Sequence, residues 1–147
     1  MATRVQVTVD CADPERMVRF WATALGYQPE PPPEGYADWA TFWRDLGLPE
    51  EEVVDSGEAV VDPDGVGPRI RFQVVPEGKV VKNRVHLDLT VSGGRSVALQ
   101  TRRERVTAEA DRLVDAGATV LRTLSEPGVD HFAIVLRDPE GNEFCLN

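Results

Sequence analysis

Val5, Val7 and Val9 alternate with Gln6, Thr8 and Asp10, the two-residue period of a strand with one face on a core and the other in polar surroundings. The period then lengthens. Met17, Phe20, Trp21, Ala24 and Leu25 recur at helical spacing between Asp13, an N-cap residue followed by Pro14 at the first helical position, and Gly26, a terminator. The same order returns in the second half. There Val85, Leu87, Leu89 and Val91 alternate with His86, Asp88 and Thr90, and Val106, Ala110, Leu113 and Val114 form a helix stripe that ends at Gly117. Three short strands are predicted beyond it, over 119–124, 132–136 and 143–146, separated by turn residues.

The first half carries matching short strands near 27–30, 58–61 and 69–75. In the last of these Ile70, Phe72 and Val74 read as core, with Arg71, Gln73 and Val75 on the opposite face. An insertion separates the first two. Trp39, Phe42, Trp43 and Leu46 fall at i, i+3, i+4 and i+7, Asp38 is placed to cap, and Gly47 and Pro49 stop the run, so a short helix is predicted over 38–47. The competing pattern is a strand pairing Trp39, Thr41 and Trp43 on one face. Pro31, Pro32 and Pro33 lead in as a stiff spacer, and Glu50, Glu51 and Glu52 lead out as a solvated acidic run. The insertion reads as a lid or packing element. Its aromatic stripe is taken as ordinary burial ahead of a ligand-stacking platform, because aromatic rings are first of all sources of buried area.

Each half also reaches an Asp-Pro-acid-Gly sequence, at Asp62 to Gly65 and again at Asp138 to Gly141. Pro presets one dihedral, Gly permits positive φ and Asp binds nearby amides, so these are turns in preference to acidic metal loops. The repeat defines an α+β chain of two βαβββ modules, about 4–76 and 84–147, within a single domain 1–147. Halves of roughly 70 residues would be marginal alone.

With 25 acidic against 16 basic side chains and a formal net charge of -9, the 147-residue chain repels a phosphate backbone, so nucleic acid is not an expected partner. No apolar stretch approaches a membrane span, and the N-terminus has no signal-like apolar core, which makes the expected location cytoplasmic. In that compartment Cys11 and Cys145 are expected as reduced thiols. Gly-rich phosphate loops, Cys-x-x-Cys pairs and Gly-x-Ser-x-Gly signatures are absent from the sequence.

The doubled order, together with the stretches from Val61 to Arg69, from Lys82 to Leu89 and from Asp138 to Cys145, resembles the vicinal oxygen chelate superfamily. Within it the chain is similar to glyoxalase-like, bleomycin-resistance-type proteins. The resemblance implies mixed sheets curving around one shared cavity, helices on the outside, and association as a homodimer. In metal-dependent members it implies four inward ligand positions, on the first and last strands of each module, where a divalent metal acts as a Lewis acid. Carried onto this chain, those positions are Gln6, Gln73, His86 and Cys145, with Cys145 where the superfamily normally has Glu and Glu143 two residues earlier on the same face. Two amides, one imidazole and one thiol are a poor set for a hard cation, so no cofactor is expected. A divalent metal, if held, would use His86 with Cys145 or Glu143, Gln6 and Gln73.

The expected ligand-lining set is therefore Gln6, Thr8, Gln73, His86, Asp88, Glu143, Cys145, Trp39 and Trp43, with His86 the best catalytic candidate and Asp88 its natural hydrogen-bond partner. His131 is expected at the surface or rim. Lys79, Lys82 and Arg84 read as a solvated connector or as steering groups for an anion. Two principal functions stay open. One is sequestration of a small organic molecule, as in resistance proteins; the alternative is a divalent-metal-dependent lyase, isomerase or dioxygenase. A thiol nucleophile at Cys145 served by His86 and an interaction domain with a self-filled cavity are lesser readings.

Overall fold

The structure is a computed structural model that describes residues 2–147. In chain order it contains β1 (Val7–Cys11), α1 (Pro14–Leu25), β2 (Gln28–Pro29), α2 (Trp39–Asp45), a single 3-10 turn (Glu50–Glu52), β3 (Ala59–Val61) and β4 (Ile70–Val74). There follow β5 (Asp88–Leu89), α3 (Leu99–Asp115), β6 (Thr119–Leu124), β7 (Ala133–Arg137) and β8 (Glu143–Leu146). The chain divides into two compact units, the first ending at Pro76 and the second beginning at Glu77. Each holds one four-stranded mixed sheet, ordered β1-β4-β3-β2 in the first and β5-β8-β7-β6 in the second. The first and last strands pair in parallel and the remaining pairs are antiparallel, so the βαβββ topology is stated twice.

In the first unit, Asp13 accepts the amide of Arg16 at 3.0 Å to start α1, and Gly26, at φ 67, ends it in the left-handed conformation that glycine adopts without a Cβ clash. The helix buries Met17, Val18, Phe20, Trp21 and Ala24 and packs on β3 and β4, which supply Val60, Ile70 and Phe72 to the same core. In the second unit α3 buries Val106, Ala110 and Leu113 and packs on β7 and β8, whose Leu136, Phe144 and Leu146 are fully enclosed. No helix among the described residues is long and apolar enough to cross a membrane.

Three valines expected in the core are exposed, and strand length explains each. Val5 is 71% exposed because β4, the only strand paired with β1 among the described residues, starts at Ile70 opposite Val7 and has nothing to offer upstream. Val85 is 79% exposed for the same reason: Asp88 pairs with Cys145, so Val85 lies beyond the first residue of β8, and β5 shrinks to two residues. Val74, 58% exposed, runs past β3, whose pairing with β4 stops at Ala59 opposite Arg71. Val114 also falls off the buried stripe of α3.

Both Asp-Pro-acid-Gly segments are turns. Asp62 accepts the amides of Asp64, Val66 and Gly67 at 2.9, 3.1 and 2.6 Å, and Asp138 accepts those of Glu140 and Asn142, each at 2.9 Å. At Gly67 the absent side chain matters for space: a Cβ there would stand 1.8 Å from the Tyr27 hydroxyl oxygen.

The segment leading into β5 is pinned by one carboxylate. Glu143, 7% exposed, accepts the Asn83 amide at 3.0 Å and lies 3.2 Å from the Lys79 ammonium. Asn83 returns its side-chain amide to the Glu143 carbonyl at 3.0 Å and accepts the Glu143 amide at 3.3 Å. The Asn83 amide first, and then Lys79, pull the Glu143 pKa from its ordinary 4.5 to about 2.

Two outcomes are expected in urea unfolding. Gly67→Ala should lose about 1–3 kcal/mol through the forced clash with Tyr27, whereas Gly78→Ala, which meets no atom within 4 Å, should stay within about 0.5 kcal/mol. Glu143→Gln should lose about 1–2 kcal/mol at pH 7. Because the folded carboxyl has the lower pKa, its contribution is complete above 4.5 and disappears as pH falls from there toward about 2. The difference between the two proteins should therefore close over that interval, and a constant difference across it would contradict the assignment.

Candidate functional site

The polar face of the first sheet is set by the β1–β4 register, which places Thr8 beside Arg71 and Asp10 beside Gln73. Arg69 is the hub of this face. Its Nε and Nη2 donate to the two carboxylate oxygens of Glu30 at 2.7 and 2.5 Å, and Nη1 donates to Gln6 Oε1 at 3.0 Å. The Glu30 carboxylate raises the Arg69 pKa further above its already high value. Arg71 pairs with Glu58 at 3.2 Å. The floor thus carries two cations and two anions matched internally.

The insertion forms the wall above this floor. Asp38 caps α2 by accepting the Thr41 amide at 2.7 Å, and Asp55 accepts the amides of Trp39 and Ala40 at 3.1 and 3.4 Å, which holds the helix start from outside. Trp39 and Trp43 stack with centroids 5.2 Å apart and planes at 23°, and Phe42 meets Trp39 edge-on at 5.5 Å. Both indole N–H groups are occupied, Trp39 by the Glu30 carbonyl at 2.9 Å and Trp43 by the Ser56 carbonyl at 3.3 Å. Ring faces and edges are what they present. Gly57 lets Trp39 lie this way, since a Cβ there would stand 2.6 Å from the indole ring.

These side chains, with Pro31, Pro33 and Leu46, enclose a cleft of about 600 Å³ whose polar lining is Gln6, Glu30, Glu58, Arg69 and Arg71. The expectation of ordinary burial for the aromatic stripe is corrected here. No residue of α2 is fully buried; Trp39, Phe42 and Trp43 are half-buried because their inner faces border the cleft instead of a core.

The second unit has a smaller cavity, about 240 Å³, lined among others by Lys82, His86, Arg122, His131, Cys145 and Asn147. His86 Nδ1 lies 2.8 Å from Asp88 Oδ1, the partnership expected from their spacing, and Nε2 is the nitrogen left for a ligand. Cys145 sits across from Asp88 in the parallel pair. Burial pushes its thiol pKa up and Asp88 pushes it further, against an opposing effect of Arg122, so the sulfur is held as a thiol. That removes the activation a nucleophilic cysteine needs. Glu143 borders the cavity, but its carboxylate already holds Asn83 and Lys79.

Register also corrects one position. Asp88 opposite Cys145 in the second unit corresponds to Thr8 opposite Arg71 in the first, so the counterpart of Cys145 is Arg71. Gln73 pairs one pair later, with Asp10, and neither it nor Thr8 borders the cleft. The positions at which the superfamily holds a metal are then filled by Gln6 and Arg71 in the first unit, an amide and a permanent cation, and by His86 and Cys145 in the second, one imidazole nitrogen and a protonated thiol. An arginine at a ligand position repels the ion it would have to hold, and the set does not fit a divalent metal. Among the described residues no three His, Cys, Asp or Glu side chains converge as a metal-holding group.

Sequence reasoning missed Glu30, Glu58, Arg69 and Arg122 as lining residues and had Arg71 only as facing away from the core. The available signal was the alternation of Arg69 and Arg71 with Ile70 and Phe72, a doubly charged strand face that calls for buried or partnered acids.

The Glyoxalase-like domain family matches residues 6–147. No curated protein matches the chain at a significant level. Among solved structures, a hypothetical protein, SA1046 from S. aureus, superimposes with a TM-score of 0.61 at 14% identity, covering 99% of this chain and 93% of that one. A glyoxalase/bleomycin resistance protein/dioxygenase family enzyme from Burkholderia phytofirmans PsJN gives 0.58 at 18% identity, covering 97% and 94%. A mutant of the fosfomycin resistance protein FosX from Listeria monocytogenes, complexed with Mn(II) and 1S,2S-dihydroxypropylphosphonic acid, gives 0.61 at 11% identity, covering 100% and 90%. These neighbours share the fold that the two mixed sheets and their helices define, and with a family match spanning nearly its whole length the chain belongs to the Glyoxalase-like domain family.

Proposed function

We propose that the protein binds and sequesters a small planar organic molecule of little net charge in the cleft of its first unit. The observation that carries this reading is the stacked Trp39–Trp43 pair standing over a floor in which Arg69 is matched by Glu30 and Arg71 by Glu58. Aromatic faces with occupied N–H groups offer stacking and dispersion without asking for a polar partner. The internally paired floor leaves the Gln6 amide and the remaining guanidinium N–H groups to orient a ligand without selecting strongly for charge. A volume of about 600 Å³ lies within the range of small-molecule pockets, and such pockets are mostly apolar with a few placed polar groups. Sequestration needs affinity alone, which suits a donor set that does not fit a catalytic metal. The fold is shared with a glyoxalase/bleomycin resistance/dioxygenase family enzyme, which is consistent with a small-molecule role.

Titration of the full chain with a panel of planar heteroaromatic compounds, followed by tryptophan fluorescence and thermal shift, tests the reading. Trp21 is buried in the core of α1, so ligand-dependent quenching should come from Trp39 and Trp43. A binder should quench saturably, and Trp43→Ala should weaken it by roughly tenfold, the scale of one lost stacking contact. Panel compounds that never saturate, or a binder indifferent to a folded Trp39→Ala/Trp43→Ala protein, would refute the proposal.

Gly57→Ala supplies an independent check at a residue that need not touch the ligand. Its methyl group should displace the Trp39 ring, change the near-ultraviolet circular dichroism of the stacked indoles and weaken the same binder by roughly fivefold or more. Unchanged dichroism and affinity would show that Trp39 is not positioned in this way.

A further inference from the structure

The cavity of the second unit is bordered by two cations, Lys82 and Arg122, that the fold leaves unmatched. Arg122 lies on β6, where the pairing steps from Val120 opposite Leu136 to Arg122 opposite Val135, with Leu121 inserted as a bulge. An extra residue reverses which face the following side chains point to. Val120 consequently shares a face with Leu136 of the core, while Arg122 and Leu124 turn to the other face, where Ala133 and Val135 border the cavity. Without the bulge, Val120 and Arg122 would point the same way.

Arg122, Val135, Cys145 and Asp88 then form one cross-strand row over β6, β7, β8 and β5. Three strand spacings of about 4.8 Å separate the backbone of Asp88 from that of Arg122 by roughly 14 Å, and although both side chains border the cavity no ion pair joins them among the described residues. Asp88 is moreover engaged by His86 at 2.8 Å, and Glu143 by Lys79 and Asn83. Lys82 and Arg122 make no ion pair or side-chain hydrogen bond among the described residues. They share the cavity with the Asn147 amide, with His86 and His131, the two histidines of the sequence, and with the engaged carboxylates of Asp88 and Glu143.

From this placement we infer that the second unit's cavity is a binding site for a small oxyanion, a carboxylate or phosphate-type group, held by Arg122 and Lys82 with imidazole and amide N–H groups completing its shell. In a chain of formal net charge -9, this cavity of about 240 Å³ balances Lys82 and Arg122 against Asp88 and Glu143, and because both acids are already engaged, by His86 and by Lys79 with Asn83, the two cations are left to favour such a group. Its lining residues all belong to the second unit, and the inference does not depend on the proposal made for the first unit's cleft.

Both histidines border the cavity and all three tryptophans lie in the first unit, so the two sites report separately. The full chain is titrated with sodium acetate, sodium phosphate or sodium chloride at fixed pH and ionic strength, and the imidazole carbon-bound proton resonances of His86 and His131 are followed by NMR. Acetate or phosphate should shift both resonances saturably, the better of the two defining the head group, while chloride should not. Arg122→Gln and Lys82→Gln should each weaken that binding by roughly fivefold or more, and Arg16→Gln in the first unit should leave it unchanged. A response to chloride equal to that of the oxyanions, no saturation with either, or binding unaltered in folded Arg122→Gln and Lys82→Gln proteins would overturn the inference.

Discussion

Parallel pairing between the first and last strands of each unit decides which side chains can do chemistry. In the β1–β4 pair, Val7 opposite Ile70 and Val9 opposite Phe72 face the helix, which leaves Thr8 and Arg71 together on the other face. In the β5–β8 pair the same arithmetic sets Leu89 with Leu146 toward the core and Asp88 with Cys145 away from it. A slip of one residue would exchange the two faces and bring Arg71 into the position of fully buried Phe72, so the core enforces the register. The polar faces inherit their geometry from an apolar requirement. That is why Arg71 and Cys145 occupy corresponding places although nothing in their own chemistry relates them.

On that common frame the halves have diverged by local additions. The first unit gained α2, whose aromatic side chains have no core to enter and turn toward the polar face, where Glu30 receives both a guanidinium and, through its carbonyl, an indole. The second unit gained a clamp and a bulge. Glu143 stands on the same strand face as Cys145, yet with its carboxylate holding the incoming segment it secures β5, a strand of only two residues, against the edge of its sheet. Leu121 re-aims Arg122. Neither device alters strand order, so the repeated topology survives while the two cavities come to differ in lining and size.

Elements whose ends are set by local chemistry were legible in the sequence. Asp13, Pro14 and Gly26 delimit α1, Asp38 starts α2, and the polar turn before Glu143 fixes where β8 begins, all without reference to distant residues. The failures concern relations between strands. Gln73 looked equivalent to Cys145 because both stand near a strand end on the polar face, but only the partner strand says which pleat is opposite which. Val5 and Val85 alternate correctly and are nonetheless exposed, since alternation is a property of one strand and burial needs a neighbour long enough to cover it. The bulge at Leu121 carries no glycine or proline to announce it, so Arg122 could not be assigned to a cavity from its own segment.

Charge pairing gives these differences a functional direction. A guanidinium beside a low-dielectric surface is costly to leave unmatched, and the first unit meets that demand within itself through Glu30 and Glu58. Its cleft is left to discriminate by shape and stacking. The second unit has acids available, yet one is held by Lys79 and Asn83 and another by His86, which leaves Arg122 and Lys82 to solvent or to a ligand. Evolution of a binding surface does not require new charges when existing ones can be kept from each other. Clamping Glu143 with Lys79 and Asn83 and engaging Asp88 with His86 achieve this, and the Glu143 clamp also secures the short strand β5.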